Sequence, residues 1–223
     1  MSDTIYKANA SSTRLILVRH GQSVGNLTRR FIGHGYAPLT ELGHRQAEAS
    51  AVFLDRYKID AIYSSDLMRA YQTAEHTAKR QGCEIKTDPQ LREIFAGEWE
   101  SMSYDEIAEK YPALYQTWMT DTGNARLPGG ESVGELRERA RAALEGIALK
   151  NTGKTVAIFT HATPIRALRS VWQGDELDKI KEYGWVSNAS ITEVIYQKDA
   201  PPTVVMFGYD THLTDIITRP SGI

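Results

Sequence analysis

The chain has 223 residues, 41% of them hydrophobic, and a formal net charge of −2 at pH 7. This length and apolar content suit one domain with a sizeable core, so we expect a single domain over residues 1–223. The small net charge argues against a basic surface for nucleic acid or for an anionic membrane. Any anion-binding site must therefore be local.

The single cysteine, Cys83, cannot form a disulfide within the chain. No apolar run approaches the length of about 20 residues that a membrane span needs. Residues 1–13 lack the apolar stretch of a signal peptide. These features predict a cytoplasmic enzyme or binding protein.

Short, β-branched apolar runs of strand length recur along the chain, at residues 14–18, 59–63, 155–159, 190–196 and 203–207. Helical patterns separate several of them. The first follows Thr40, the second is expected to open at Asp66 and end near Gly82, and the third begins at the capping box from Ser132 to Glu135.

This alternation predicts an α/β fold with three layers, in which helices cover both faces of a mostly parallel sheet. The last two strands have no helix between them, so we expect one of them to run antiparallel. The aromatic and acidic residues 95–126 are predicted to form a helical insertion, a lid over the edge of the sheet that holds the site.

Two of the predicted strands end in a histidine that is followed by a small residue. "RLILVRHG" ends with His20 and "TVAIFTHA" with His161. A third strand, "DAIYSS", leads into a helix with Arg69 in its first turn. Because ligands of open α/β sheets bind beyond the carboxyl ends of the strands, we expect these three side chains to face one crevice.

The groups expected at this edge suit a phosphate. Arg19 and Arg69 offer planar guanidinium donors, Asn26 an amide, and the backbone near Gly21 further N–H groups. The nucleotide-binding glycine motifs and the common metal motifs are absent from the sequence, although two histidines and an acid could in principle hold a metal.

Hydrolysis of phosphate monoesters is so slow without catalysis that one general base does not suffice, which favours a covalent intermediate. His20 is the candidate nucleophile, because Arg19 and Arg69 would favour its neutral form. The proton donor and acceptor is expected in "QLREIFAGEWES", after a strand or loop at residues 88–91. Glu93 is our candidate there, and Glu98 and Glu100 remain alternatives.

Each candidate also has a purely structural interpretation. Arg19 could pair with an acid at a strand edge, and Arg69 could pair with Glu75 or Asp66 on its own helix. Asn26 could be an ordinary turn residue, and His161 could donate to a backbone carbonyl in a strand-to-helix bend. We interpret the other histidines, His34, His44, His76 and His212, as surface, loop or structural residues.

Taken together, these segments resemble the histidine phosphatase superfamily, in its phosphoglycerate-mutase-like branch. The similarity runs, in chain order, through "LVRHGQSVGN", "PLTELGHRQA", "YSSDLMRAYQTA", "LREIFAGEWE", "LPGGESVGELRERA" and "THATPIRAL". The resemblance implies His20 as the phosphorylated nucleophile and Glu93 as the proton donor and acceptor, in preference to its neighbours. It further implies a phosphate pocket made by Arg19, Asn26, Arg69 and His161.

Three positions depart from the family pattern. Tyr36 stands where an acidic residue is frequent, and Ser101 and Ala162 stand where glycine is frequent. Tyr36 and Ser101 are expected to alter the substrate contacts of their loop. Ala162 is expected to cause only a small local change in structure.

The resemblance leaves phosphatase and mutase to be distinguished. The lid segment is rich in carboxylates and aromatic rings and has only Lys110 as a cation after Arg92. It therefore offers little for retaining a phosphoryl group opposite a small sugar acid. We predict a metal-independent and cofactor-independent hydrolase of small phosphomonoesters. The alternatives are a phosphoglycerate-mutase-type phosphotransferase and a binding module without turnover.

Overall fold

The computed structural model describes residues 10–218, which contain one six-stranded β-sheet with the strand order β3-β2-β4-β1-β5-β6. The strands are β1 Ser12–Arg19, β2 Ala61–Ser64, β3 Ile85–Thr87, β4 Thr155–Thr160, β5 Ile191–Gln197 and β6 Thr203–Tyr209. The pairs among β1, β2, β3 and β4 are parallel, whereas β5 pairs antiparallel with both β1 and β6. The predicted sheet, mostly parallel with one antiparallel strand, is confirmed.

The α-helices are α1 Val24–Leu27, α2 Glu41–Leu54, α3 Met68–Gln81, α4 Tyr104–Lys110, α5 Pro112–Thr120, α6 Val133–Lys150 and α7 Ala162–Gln173. Thr40 caps α2 by accepting a hydrogen bond from Gly43 N, and Gly82 ends α3 in the left-handed conformation. The expected capping box at Ser132 is present at the start of α6. Helix α3 begins at Met68, two residues after the predicted Asp66.

The alternation of side chains along β1 produces the predicted three layers. Leu15 and Leu17 pack in the cluster that contains the apolar residues of α6 and α7. Ile16 and Val18 pack in the cluster that contains those of α2 and α3. Burying each of these side chains contributes about 1.5–3 kcal/mol to folding, so both faces of the sheet are stabilised.

A third apolar cluster, which we call the lid cluster, forms over the carboxyl ends of the strands. Its buried members include Phe31, Trp99, Ile107, Trp118 and Leu127. Val133 and Leu136 at the start of α6 and Ala167 in the middle of α7 extend it. The segment predicted as a lid is thus anchored by a hydrophobic core of its own.

The segment before Glu93 differs from the prediction. Residues 88–91 were expected as a strand or loop, but the strand is β3, at Ile85–Thr87, and Pro89–Leu91 forms a 3-10 turn. Pro89 lacks the N–H group that a strand ladder needs, while its fixed φ suits the first position of a helical turn. Asp88 caps this turn by accepting a hydrogen bond from Gln90 N at 2.9 Å.

Between residues 10 and 218 no helix combines the length and the apolar character needed to cross a bilayer. Residues 1–9 and 219–223 lie outside the described residues. The single-domain prediction for both segments, and the signal-peptide prediction for residues 1–9, therefore stay predictions.

Candidate active site

The parallel pairing of β1 with β4 places the two predicted histidines side by side. Arg19 pairs with Thr160 in the strand register, and His20 N donates to Thr160 O at 3.0 Å. The rings of His20 and His161 are consequently 5.1 Å apart between centroids. Both rings are buried, but only His20 is among the residues that line the crevice described below, and His161 is next to it.

A single hydrogen bond fixes the tautomer of His20. Its Nδ1 lies 2.7 Å from Gly21 O. Because a carbonyl oxygen can only accept, Nδ1 carries the proton and Nε2 has a free lone pair. Burial, followed by the positive charges of Arg69 and Arg19, holds the pKa of His20 well below its usual value. The ring is therefore neutral at physiological pH.

The backbone after His20 is packed too closely for a side chain. A Cβ atom at Gly21 would lie 2.4 Å from Gly43 O, at the start of α2. Gly21 N donates to Thr73 Oγ1 at 3.0 Å, which ties the same turn to α3. Two helices thus hold the carbonyl that orients His20.

Arg19 and Arg69 are buried guanidinium groups without a carboxylate partner among residues 10–218. Arg69 donates to Gly33 O at 2.8 Å and weakly to Gly35 O at 3.5 Å. Arg19 donates to Val186 O. Burial lowers the pKa of each to about 10, so both remain charged at neutral pH. Glu93 acts on both charges without forming an ion pair, and two buried guanidinium groups placed in this way indicate a binding site for an anion.

The structural interpretation of Arg69 as an ion-pair partner within its own helix is wrong. Asp66 instead forms an ion pair with Arg92, on the segment that leads to Glu93. The ion-pair interpretation of Arg19 is also wrong, because its guanidinium donates to the carbonyl oxygen of Val186.

His161 contacts a side chain and not the backbone carbonyl that the purely structural interpretation required. Its Nε2 lies 2.9 Å from Ser65 Oγ, at the end of β2. Its Nδ1 is buried and has no hydrogen-bond partner in the described part of the chain. Burial is the main cause that holds the pKa of His161 well below its usual value, with Arg69 next. An unpartnered ring nitrogen beside two cations is suited to contact an anion.

Glu93 reaches the same crevice from the other side. Its Oε1 accepts from Ile94 N at 2.8 Å, and its Oε2 lies 3.4 Å from Thr163 N in the first turn of α7. Glu93 lines the crevice with His20.

The two alternative carboxylates have other contacts. Glu98 accepts a hydrogen bond from the Tyr111 hydroxyl at 2.6 Å on the exposed side of the lid. Glu100 accepts from His34 N at 2.8 Å and from Gly35 N at 3.0 Å, and so holds the loop that receives Arg69. Neither carboxylate lines the crevice.

Sequence reasoning missed the residue that fixes the Glu93 segment, Arg139 on α6. Its guanidinium donates to Gln90 O at 2.8 Å, Arg92 O at 2.9 Å and Glu93 O at 2.8 Å. It also pairs with Glu131 at 2.7 Å. The motif "GGESVGELRERA" contained both partners, but their sequence spacing alone does not show which backbone they hold.

Asn188 was also missed, although it contacts two predicted site residues. Its Nδ2 donates to His20 O at 3.1 Å and to Asn26 Oδ1 at 3.2 Å. Asn26 is therefore more than a turn residue, because its oxygen is engaged and its amide nitrogen is left for the crevice it lines. Asn188 N in turn donates to Thr218 O at 3.1 Å. We found no sequence signal for this residue in the loop before β5.

The crevice has a volume of about 70 Å³, which suits a small ligand. The predicted residues that line it directly are Arg19, His20, Asn26, Arg69 and Glu93. Rings from the lid cluster, including Tyr104 and Trp118, complete its wall. Among residues 10–218 there is no group of three or more His, Cys, Asp or Glu side chains placed to hold a metal ion.

Comparison with protein families agrees with this arrangement. Residues 15–208 match the family model described as the histidine phosphatase superfamily (branch 1). The chain belongs to this superfamily. The resemblance found in the sequence is thereby confirmed, and the match covers every predicted site residue from Arg19 to His161.

Individual members of the superfamily extend the comparison. The chain is 32% identical over 200 residues to "Phosphoserine phosphatase 1" of Hydrogenobacter thermophilus, covering 90% of this chain and 94% of that protein. Among solved structures, Bacillus stearothermophilus YhfR superposes with a TM-score of 0.86 at 29% identity, over 90% of this chain and 99% of that one. The mycobacterial glucosyl-3-phosphoglycerate phosphatase, in its complex with VO3, gives a TM-score of 0.81 at 28% identity, over 88% of this chain and 99% of that one.

Proposed function

We propose that this member of the histidine phosphatase superfamily hydrolyses small phosphomonoesters through a phosphohistidine on His20, with Glu93 as proton donor and acceptor. Arg19, Asn26, Arg69 and His161 bind the phosphoryl group. The observation that carries the proposal is the free lone pair on His20 Nε2, next to two buried guanidinium groups that lack a carboxylate partner.

The reaction has two displacements at phosphorus. His20 Nε2 attacks the phosphorus atom while the bond to the ester oxygen breaks, and Glu93 in its acid form protonates that oxygen, so that a neutral alcohol leaves. A water molecule then attacks the phosphohistidine and gives its proton to Glu93. The P–N bond breaks, inorganic phosphate leaves, and His20 and Glu93 return to their initial states.

The charges around the site match the demands of this reaction. Arg19 and Arg69 offset the negative charge on the non-bridging phosphoryl oxygens in each transition state. The hydrogen bond from His20 Nδ1 to Gly21 O stabilises the ring as it becomes positively charged during attack. No step requires a metal ion, in keeping with our prediction of a metal-independent and cofactor-independent enzyme.

The names of the similar proteins support a phosphatase more than a mutase. The Hydrogenobacter protein and the mycobacterial protein are both named as phosphatases of small phosphate esters. Lys110, the cation that could have served a mutase, is exposed over the Tyr111 ring at 5.1 Å and does not line the crevice. A binding module without turnover would not require the nucleophile and the acid that are both present. A cytoplasmic location and the absence of nucleic-acid partners stay predictions from the sequence.

The proposal is tested by trapping the phosphoenzyme. Wild-type protein mixed with a ³²P-labelled phosphomonoester and quenched in alkali should carry acid-labile label, and His20→Ala should carry none. Glu93→Gln should lose turnover while still binding inorganic phosphate. His76→Ala, a histidine outside the crevice, is the matched control and should behave as wild type. Label that persists in His20→Ala would exclude this residue as the nucleophile.

Two further arms of this experiment address the alternatives. Activity that survives EDTA supports the metal-independent reaction, whereas activity that EDTA removes and added metal restores would contradict it. Faster transfer of the label to 3-phosphoglycerate than to water would show a mutase.

A further inference from the structure

The peptide group between Gly21 and Gln22 is hydrogen-bonded on both sides. Its carbonyl oxygen, Gly21 O, accepts from His20 Nδ1 at 2.7 Å, the bond that leaves Nε2 free to attack. Its N–H group, on Gln22, donates to Oε1 of Gln46 at 2.8 Å. Because the atoms of a peptide unit lie in one plane, a bond that fixes the direction of the N–H group also fixes that of the carbonyl. Gln46 therefore orients the acceptor of His20 through the peptide group.

The hydrogen bond to Gln46 also strengthens the carbonyl as an acceptor. Hydrogen bonds in a chain polarise one another, by roughly 10–30% per bond. During attack on phosphorus the His20 ring gains positive charge, so Nδ1–H becomes a stronger donor and Gly21 O must hold more of that charge. The contact from Gln46 to Gln22 N thus supports both the ground-state tautomer and the charged ring of the transition state.

Gln46 is itself fixed by the segment that follows β6. Its side chain is fully buried on α2, and its amide nitrogen donates to Ile216 O at 2.7 Å and to Thr218 Oγ1 at 2.9 Å. Both N–H groups of the amide are therefore used. The flipped amide would place Nε2 against Gln22 N–H and Oε1 against Ile216 O, with a hydrogen bond at neither. Residues 216–218 thus select the orientation in which Gln46 can accept from Gln22.

Thr218 connects Gln46 with Asn188, the second support of this turn. The Thr218 hydroxyl accepts from Gln46 Nε2 and donates its one proton to Asn188 Oδ1 at 3.2 Å. Asn188 N donates to Thr218 O at 3.1 Å. Asn188 Nδ2 in turn donates to His20 O at 3.1 Å. One hydroxyl therefore joins the two amide side chains that hold the backbone on either side of Gly21.

We propose that Gln46 and Thr218 are positioning residues for the nucleophile, which act through the Gly21–Gln22 peptide to keep the proton of His20 on Nδ1 and the lone pair on Nε2. The proposal rests on the proposed function, because it concerns the same attacking atom. Neither residue lines the crevice, so both act at one remove from the substrate. Either nitrogen of a neutral imidazole can carry the proton. When the peptide is free to rotate, the tautomer with a protonated Nε2, which cannot attack, becomes populated.

The tautomer of His20 can be measured in the folded protein without turnover. With ¹⁵N-labelled histidine rings, a long-range ¹H–¹⁵N spectrum distinguishes protonated from unprotonated ring nitrogens, and the signals missing from His20→Ala identify His20. The wild-type ring should be protonated at Nδ1 only. Gln46→Met, which is similar in volume and has no amide, should show a substantial share of the tautomer with a protonated Nε2. Unchanged His20 signals in Gln46→Met would overturn the proposal.

The rate of the first displacement gives a second readout. In a single turnover of ³²P-labelled phenyl phosphate, Gln46→Met should lower the rate of label incorporation about tenfold and leave the half-saturating concentration within about twofold, because attack and not phosphoryl binding is impaired. Thr218→Val leaves the contact from Gln46 to Gln22 N in place and should lower the rate about threefold. Thr218→Ser restores the hydroxyl and should recover the wild-type rate. Equal rates in the two Thr218 variants would exclude a role of this hydroxyl.

Gln72 on α3 provides the matched control. Its Oε1 also accepts from a backbone N–H group, that of Leu39, at 2.8 Å, but not from the turn after His20. Gln72→Met should therefore change neither the His20 signals nor the rate of labelling. Equal losses in both glutamine variants would overturn the proposal, and if Gln46→Met does not fold, Thr218→Val provides both readouts. Wild-type protein that takes up no label on His20 would instead refute the proposed function itself.

Discussion

The carboxyl ends of β1 and β4 both present a buried histidine, but their contacts differ. His20 uses Nδ1 to donate to a backbone carbonyl and keeps Nε2 free. His161 uses Nε2 to contact Ser65 Oγ and keeps Nδ1 unpartnered. Ser65 Oγ already accepts from Leu67 N at 3.2 Å, so its own proton is available for His161 Nε2. In that arrangement the free atom of His20 is a lone pair and the free atom of His161 is an N–H donor.

This difference shows how two similar strand ends can have different chemistry. A free lone pair can attack phosphorus, whereas a free N–H group can only bind a phosphoryl oxygen. The carbonyl partner fixes Nδ1 of His20 as the donor, whereas the Ser65 hydroxyl can donate to Nε2 of His161 and so allows an N–H group on its Nδ1. The following substitutions test whether the two ends are as different as these contacts indicate.

The largest effect is expected at the end of β1. His20→Ala removes the attacking atom and should lower kcat/KM by at least about 10⁴-fold, since no neighbouring group can replace it. Steady-state hydrolysis of phenyl phosphate measures this loss, and circular dichroism verifies that the variant is folded. A variant that keeps more than about a hundredth of the activity would show that the reaction does not proceed through His20.

His161→Ala should have a smaller effect, because it removes a donor and not the nucleophile. We expect a loss of about 10²-fold in kcat/KM, with the phosphoenzyme still detectable on His20. Quantifying both turnover and label separates the two roles. If this variant abolished labelling as completely as His20→Ala does, the two rings would not have the distinct functions that their contacts indicate.

The positions of these histidines at strand ends could be predicted from the sequence, because a parallel α/β sheet places the ends of its inner strands together. The same logic predicted the convergence of Arg69 on that edge. Ser65 also stands at a strand end, beside His161. Asn188 and Arg139 could not be found in this way, because each acts on an element far along the chain, through a contact that depends on how the loops cross above the sheet.

The aromatic segment was predicted as a lid, but its internal packing could not be predicted from the sequence. Tyr104, Tyr111, Tyr115 and Trp118 have near-helical spacing, which is typical of packing but does not distinguish rings buried in a core from rings that face a ligand. The structure uses Trp99 for the first purpose and Trp118 for both. The turn at Pro89–Leu91 differed from the expected strand or loop because Pro89 favours a helical start over a ladder position.

A moderate effect is expected from substituting Asn188, which holds the backbone of His20. Asn188→Ala removes the hydrogen bonds to His20 O and Asn26 Oδ1 and should lower kcat about tenfold with little change in KM, because the nucleophile is less well placed. Ser187→Ala is the control, since it removes a neighbouring buried hydrogen bond, to Asp210, that does not involve His20. Equal changes in kcat in the two variants would make Asn188 a structural residue only.

The smallest effect concerns stability and pH. Burial lowers the folded-state pKa of His20, His161 and His212, the last to about 4. The unfolded chain therefore binds more protons below the ordinary histidine pKa of about 6.5, and the free energy of unfolding should fall as the pH is lowered from about 7 to 5. Denaturant titrations measure this slope, and His212→Gln should flatten it. A slope of opposite sign would contradict the burial of neutral rings.

The separate packing of the lid cluster has a consequence for how the specificity of such an enzyme can change. His20 and His161 stand at the ends of strands of the sheet, whereas Ile94, whose N–H group holds Glu93, is buried in the same cluster as Trp118. Exchanging a ring of the lid cluster can therefore shift the acid while it leaves the nucleophile on β1. Acceptance of a new alcohol could be engineered in this segment, and the position of Glu93 would be the first thing to verify in each variant.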